Sequence, residues 1–226
     1  MPCAGAATNE NPYPSAALPV KMRRERYPCG APRLDQGAFL FFDTETTGLP
    51  RYNAPADDTR AWPRLVQIAW LLCDNGEHVL RQESFIVRPE GFTIPQDAVR
   101  VHGITNEAAI RSGVPLRMAL DRFREEAARS STVVAHNMAF DGGVVAAECA
   151  RSGVENPLPG IPSVCTMEAS VRVCGIRRPG GLKWPTLTEL HRTLFSSEYP
   201  GAHAAGNDAA ACARCFFELR RRGVIR

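Results

Sequence analysis

The sequence predicts an α/β protein with a mixed five-stranded sheet, in which a three-strand antiparallel meander is extended by parallel strands and flanked by helices. Apolar runs at 38–42, 65–72 and 80–87, with an Asp-Asn-Gly turn between the last two, predict the meander. Short apolar runs at 133–135 and 163–166 then alternate with helical patterns, which is typical of parallel strands joined by helices.

The helices of this fold are predicted from apolar spacing along the second half of the chain. They fall at 96–101, 106–110, 115–128, 142–150, 186–194 and 208–222. Residues 1–36 are rich in Pro, Ala, Gly and Asn and predict a flexible tail, which leaves 37–226 as the folded domain. The basic run KMRRER, 21–26, indicates a solvated segment more than a contact with a polyanion.

Composition narrows the class of protein. A formal net charge of +3 permits a nucleic-acid partner without requiring one. No apolar run approaches the ~20 residues of a membrane span, and the N-terminus lacks the basic start and apolar stretch of a secretory signal. The eight cysteines are scattered, mostly in apolar runs, which favours reduced thiols and a cytoplasmic location.

The first candidate site follows the most hydrophobic strand, in the stretch FLFFDTETTGLP, residues 39–50. Residues two apart in a strand point to the same face, so Asp43 and Glu45 converge. Two carboxylates held side by side repel each other unless a cation lies between them, and Mg²⁺ is commonly held by such oxygens. A lone pair of this kind is weak support, because two solvated acids in a turn would look the same.

Two later segments supply further acids in similar surroundings. VVAHNMAFD, 133–141, runs from an apolar strand into Asp141. HAAGNDAAAC, 203–212, contains His203 on a Gly-containing loop and Asp208 at the start of a helix. Each acid lies at a strand end or helix start, where an α/β sheet gathers its functional groups.

The order D-x-E-T-T-G, H-N-x-x-F-D, H-x-x-x-x-D resembles the DEDD superfamily of 3′–5′ exonucleases, in its histidine, DnaQ-like branch. That group includes the proofreading subunit of bacterial DNA polymerase III, ribonuclease T, oligoribonuclease and TREX-type exonucleases. The resemblance covers roughly residues 37–222 and includes LVQIAW, VHGIT and PTLTEL. The tyrosine branch carries Tyr four residues before the last Asp, where this chain has Ala204. The resemblance implies a ribonuclease H-like fold.

The resemblance also implies a chemistry. Asp43, Glu45, Asp141 and Asp208 would hold two Mg²⁺ ions, with Mn²⁺ as a substitute, and the ions would stabilise the attacking and leaving oxygens of an in-line displacement. His203 would act as general base, a role that imidazole suits near neutral pH. The implied reaction removes nucleoside 5′-monophosphates from single-stranded DNA or frayed 3′ ends.

Substrate contacts are implied at Thr46, Thr47, Gly48, His102 and Asn137. We expect the hydroxyls and N–H groups of the turn at 46–48 to face the metals. For His102, stacking beside the terminal base and capping of a loop are equally consistent with the sequence. Asn137 is expected to orient the backbone next to the acid of the second motif.

Two further features allow two interpretations each. Trp62 and Tyr52, on the loop after the first motif, can stack on bases, an interaction of ~1–3 kcal/mol per base, or pack within their own loop. Arg177, Arg178 and Lys183 form a basic, Gly-rich loop, GIRRPGGLK, that either grips a phosphate backbone or is simply solvated.

Two other functions remain alternatives. The first is the same chemistry on RNA 3′ ends, which differs by contact with the 2′-OH, a contact for which the sequence carries no signal. The second is a non-catalytic nucleic-acid-binding module, which ranks lower because all four acids and the histidine are present. No membrane association is predicted, and the sequence predicts no oligomeric state or polymerase partner.

Overall fold

The computed structural model describes residues 37–51, 55 and 58–226, and a mixed five-stranded sheet runs through them in the order β3-β2-β1-β4-β5. Its strands are β1 (Phe39–Thr46), β2 (Leu65–Cys73), β3 (Val79–Ile86), β4 (Thr132–Ala135) and β5 (Ser163–Cys165). β1 pairs antiparallel with β2 and parallel with β4, so it is the central strand. The predicted mixed sheet is confirmed, and the predicted tail, 1–36, lies outside the described residues.

Helices cover both faces of this sheet. They are α1 (Gln96–His102), α2 (Asn106–Ser112), α3 (Leu116–Ala127), α4 (Met138–Ser152), α5 (Thr166–Ala169), α6 (Val171–Cys174), α7 (Leu187–Phe195) and α8 (Ala205–Arg221). None of the described helices is long and apolar enough to cross a membrane. The six cysteines of the described part are all free thiols.

The apolar run of β1 is buried on both sides because two cores meet on this strand. Phe39 and Phe41 belong to the core beneath α7 and α8. Leu40 and Phe42 point the other way, into the core beneath α3 and α4. Full burial of such a side chain is worth about 1.5–3 kcal/mol, so β1 is a rigid base for whatever follows along it.

Among the element boundaries that differ from the sequence prediction, two change the surroundings of acids. β1 continues to Thr46 because β2 keeps pairing with it past the apolar run, opposite Asp43 and Glu45. α4 begins at Met138, four residues before the predicted start, because the backbone of Asn137 (φ 113°) turns the chain directly into the helix. The acids therefore lie inside regular elements instead of in loops beside them.

The predicted basic loop is a small hairpin, formed by β6 (Arg177–Arg178) and β7 (Gly181–Leu182). Its turn needs Gly180 (φ 92°) and Gly181 (φ 139°), because an L side chain rarely adopts such angles. Strands of two residues carry no period that a sequence pattern can reveal.

Candidate active site

The alternation of side chains along β1 brings three acids together. Asp43 and Glu45 continue the face of Phe41, which is the face that α8 covers, and Asp208 lies in the first turn of α8. One carboxylate oxygen from each of Asp43, Glu45 and Asp208 lies within 4.8 Å of the others. Carboxylate oxygens at this spacing fit a hard divalent cation.

The fourth acid approaches from the opposite face of β1. Thr44 points toward α4, where its backbone N–H and its hydroxyl both donate to Oδ1 of Asp141, at 3.0 and 2.7 Å. Asp141 is only 3% exposed. It therefore lies outside the group of three, although its charge still acts on Asp43 and Glu45.

Burial and mutual repulsion raise the pKa values of these acids. Burial, followed by the charges of Asp208 and Asp141, raises the pKa of Glu45 to about 8. Burial raises the pKa of Asp141 to about 7 against the opposing hydrogen bonds from Thr44. Burial and the three neighbouring acids hold the pKa of Asp43 well above its usual range. Near neutral pH the cluster must therefore carry protons or a cation.

His203 lies at the mouth of this cluster, on the loop between α7 and α8. Its side chain is exposed, and its backbone adopts φ 67°, a left-handed conformation that is uncommon for residues other than glycine. Its N–H donates to Oδ2 of Asp208 at 3.0 Å. Strained conformations of this kind concentrate at functional sites. Here the backbone conformation determines the direction in which the His203 side chain leaves the chain.

Tyr199 is the residue of the site that the sequence did not reveal. Its hydroxyl donates to Oδ1 of Asp208 at 2.7 Å, and its ring packs on His191 with the centroids 5.3 Å apart. Burial, followed by the charge of Asp208, raises the pKa of Tyr199, so the hydroxyl remains a donor. No motif spacing marks a tyrosine nine residues before an acid.

The turn after β1 is closed by its own hydrogen bonds. The Thr46 hydroxyl donates to the Gly48 carbonyl at 2.7 Å. The N–H and hydroxyl of Thr47 are both engaged with the backbone of Arg64. These bonds tie the turn to the start of β2, and the expected substrate contacts of Thr46, Thr47 and Gly48 stay predictions. Gly48 is exposed and lies at φ 152°.

His102 and Asn137 lie at helix ends that border the site. Nδ1 of His102 accepts from the N–H of Ile104 at 3.1 Å, so this histidine caps the end of α1. Its buried Nε2 lies toward the Thr46 backbone without making a well-formed hydrogen bond, and burial lowers its pKa. The Asn137 carbonyl accepts from the N–H groups of Phe140 and Asp141, so Asn137 acts here through its backbone.

Trp62 and the basic loop, for which the sequence allowed two interpretations each, have different surroundings in the structure. Trp62 packs against Gly143, where any side chain would collide with it, and its ring nitrogen donates to the Pro55 carbonyl at 2.9 Å. Trp62 therefore packs within its loop, and Tyr52 lies outside the described residues. Arg177 and Arg178 of the hairpin are exposed, whereas Lys183 is paired with Glu189.

His136 fixes the segment after the hairpin to the end of β4. Its two ring nitrogens lie 2.9 Å from the Thr166 hydroxyl and 3.0 Å from the Pro185 carbonyl. Burial lowers the pKa of His136 to about 4, so the ring is neutral and donates to Pro185. Trp184, directly before Pro185, is therefore held near the carboxyl ends of β4 and β5, with 59% of its surface exposed.

The chain has relatives among known proteins. Residues 40–216 match the family described as exonuclease. The chain is 30% identical over 184 residues to a PolC-type DNA polymerase III of Streptococcus suis, across 81% of this chain and 11% of that protein. It is also 30% identical over 179 residues to a protein of Mycobacterium tuberculosis described as a bifunctional exonuclease/endonuclease, across 79% of this chain and 26% of that one. The chain thus spans a small part of the length of these relatives.

The fold also matches solved structures. Escherichia coli exonuclease I in complex with a dT13 oligonucleotide superposes with a TM-score of 0.66 at 21% identity. The match covers 83% of this chain and 42% of that chain. The mixed sheet with its flanking helices is therefore a fold already known among exonucleases.

Proposed function

This chain belongs to the exonuclease family, and we propose that it is a metal-dependent 3′–5′ exonuclease that removes nucleoside 5′-monophosphates from single-stranded DNA or frayed 3′ ends. The observation that carries the proposal is the convergence of Asp43, Glu45 and Asp208 within 4.8 Å, with raised pKa values. A relative that is a DNA polymerase III supports DNA as the substrate.

The proposed cofactor is Mg²⁺, as two ions for which Mn²⁺ substitutes, held by Asp43, Glu45, Asp141 and Asp208. When bound, the ions supply positive charge to the attacking and leaving oxygens of the phosphodiester. The four acids hold that charge at the end of the rigid β1 strand, and the Thr44 bonds fix Asp141 beside it. The cluster is buried enough to make any such charge act at low dielectric.

His203 is the proposed general base. Its imidazole is exposed at the mouth of the acid cluster, while its N–H is anchored to Asp208 at 3.0 Å. An anchored backbone with a free ring lets the imidazole reach a water molecule beside the scissile phosphate and accept its proton.

Three exposed features of the described chain suit the proposed substrate strand. Leu49, just after the turn at 46–48, is 84% exposed and offers an apolar surface to a terminal base. Trp184 offers a stacking surface, and stacking of this kind tolerates any base sequence. Arg177 and Arg178 carry positive charge that complements phosphates. Together they favour a single strand, whose bases are free to stack, over a closed duplex.

The test uses 5′-labelled oligonucleotides of one sequence as single-stranded DNA, as duplex DNA with a frayed 3′ end, as blunt duplex and as RNA. We expect Mg²⁺-dependent ladders that shorten from the 3′ end, fastest on the single strand, with 5′-monophosphates as products. EDTA should stop the reaction, and Mg²⁺ or Mn²⁺ should restore it.

Ca²⁺ should bind and support little cleavage, because it is larger and takes 6–8 ligands in looser geometry. Full cleavage in EDTA would rule out the metal-dependent reaction. RNA degraded faster than DNA would assign the alternative substrate. Binding of all strands without any cleavage would leave only the non-catalytic module.

A further inference from the structure

We propose that Tyr199 is a positioning residue that fixes the orientation of the Asp208 carboxylate for metal binding. This inference rests on the proposed function, because it assigns a hydrogen-bond partner to one acid of the same cluster. It starts from one contact, the 2.7 Å hydrogen bond from the Tyr199 hydroxyl to Oδ1 of Asp208.

Both oxygens of Asp208 are held by the same loop. Oδ1 accepts from Tyr199 and Oδ2 accepts from the N–H of His203, at 2.7 and 3.0 Å. Asp208 is 8% exposed, so water offers few competing donors. Two fixed donors hold the carboxylate in one rotation, and in that rotation one of its oxygens lies within 4.8 Å of a carboxylate oxygen of Asp43 and of Glu45.

The hydroxyl is itself held by packing. The Tyr199 ring lies against His191 on α7, and Nδ1 of His191 lies 2.8 Å from the Ser197 carbonyl two residues before Tyr199. The loop is therefore fastened at α7 on one side and at Asp208 on the other. Partners that orient ligands in this way typically change metal affinity or activity by ~10–100-fold when they are removed.

The same loop carries His203, so Tyr199 links the acid ligand to the residue proposed as base. Without the hydroxyl, Asp208 retains only the His203 bond, and the carboxylate gains a second rotation. A Phe at 199 keeps the ring contact with His191, so its effect isolates the hydroxyl from the packing of the loop.

The test is calorimetric titration of Mn²⁺ into the full chain without substrate, for the wild type and Tyr199→Phe. We expect the dissociation constant to rise by ~10–100-fold in the variant, while the metal-free variant remains folded at the temperature of the titration. Turnover at low Mn²⁺ should fall by a similar factor and recover at saturating Mn²⁺.

The matched control is Ser131→Ala, which also removes one hydroxyl hydrogen bond, from Ser131 to the Ala38 carbonyl at 2.9 Å, at the far end of β1. It should leave the Mn²⁺ affinity unchanged. An equal affinity in Tyr199→Phe and wild type would overturn the role of Tyr199 while leaving the proposed function intact. Turnover that stays low at saturating Mn²⁺ would also overturn it, because the hydroxyl would then act beyond ligand placement. A wild type that binds no Mn²⁺ would instead contradict the proposed function itself.

Discussion

Among single residues, Asp43 is the acid whose ionised form is opposed by all three of its neighbours. Burial and the charges of Asp141, Asp208 and Glu45 all raise its pKa. We expect Asp43→Asn to reduce turnover to background, since the amide removes a charged ligand. The same change should raise the free energy of unfolding of the metal-free protein at pH 8, because burial and the three neighbouring acids disfavour the ionised carboxylate. Denaturant unfolding and oligonucleotide digestion measure the two effects.

A fall in turnover together with a rise in the free energy of unfolding is the result that distinguishes a metal ligand from a structural residue. Asp121→Asn on α3 is the control, because Asp121 pairs with arginines of its own helix and should change neither quantity. A variant at position 43 with near-normal turnover in Mg²⁺ would contradict the metal assignment. One that lost activity and stability together would make Asp43 a structural residue.

His203 offers a second prediction at this scale. His203→Ala should lower turnover by ~10²–10⁴-fold, the usual loss when a positioned base is removed. Mn²⁺ affinity and KM should change little, because the acids remain and the base acts mainly in the transition state. Higher pH should partly rescue the variant as hydroxide becomes more abundant. A loss of metal or substrate binding in proportion to the lost rate would instead make His203 a binding residue.

What the sequence predicted about single residues depended on where their partners lie. Asp43, Glu45 and His203 belong to the short motifs that carry the family resemblance, so the order of those motifs marked them. Thr44 could have been found, because strand alternation sends it to the face opposite its neighbours. Tyr199 could not, because its contact with Asp208 depends on how the loop after α7 folds back on α8.

At the scale of elements, long periodic segments were predictable and short irregular ones were not. The three strands of the meander and helices α3, α7 and α8 follow from apolar period. The sequence prediction ended β1 at its first charged residue, whereas backbone pairing with β2 carried the strand on to Thr46. The β6–β7 hairpin depends on glycines at positive φ, which sequence periodicity does not record.

The two exposed arginines of the β6–β7 hairpin should contribute to the binding of single-stranded DNA. In an Asp43→Asn background, changing Arg177 and Arg178 to Ala should weaken binding to single-stranded DNA. The dependence of log K on log[salt] should become shallower by about 1.4, since each phosphate contact on a single strand contributes ~0.7. Fluorescence anisotropy across a salt series measures both.

The control for the hairpin is Arg117→Ala with Arg124→Ala. These two exposed arginines lie on α3, which packs over the other core, and they lower the net charge equally. An equal loss of affinity in both double variants would reduce the hairpin to a general charge effect. An unchanged slope in the hairpin variant would show that its arginines are solvated.

For the whole molecule, the site and the cores share one strand. β1 is buried by α7 and α8 on one side and by α3 and α4 on the other. The helices on these two sides also supply acids to the site, Asp208 from α8 and Asp141 from α4. The fold therefore stabilises β1 while the acids at its end repel one another. Stability must then depend on both pH and metal, and the two dependences are linked.

The final prediction follows from that linkage. Glu45 has a pKa of about 8 in the folded state, above its unfolded value, so the folded protein binds more protons between about pH 4.5 and 8. The free energy of unfolding of the metal-free protein should therefore fall as pH rises through this window. From pH 6 to 8 we expect a loss of about 2 kcal/mol, or ~4–8 °C in melting temperature for a chain of this size.

Metal should reverse the sign of this pH dependence, because a bound cation stabilises the ionised acids and protons compete with it. With saturating Mg²⁺ the melting temperature should be higher at pH 8 than at pH 6. Glu45→Gln isolates the contribution of Glu45: its metal-free melting temperature should fall less between pH 6 and 8 than that of the wild type, since the remaining titrating acids, Asp141 among them, are shared with the wild type. A wild-type curve that is flat or rises with pH without metal would mean that the acids are solvated in the folded protein. The buried, cation-demanding cluster would then have to be abandoned together with the metal assignment.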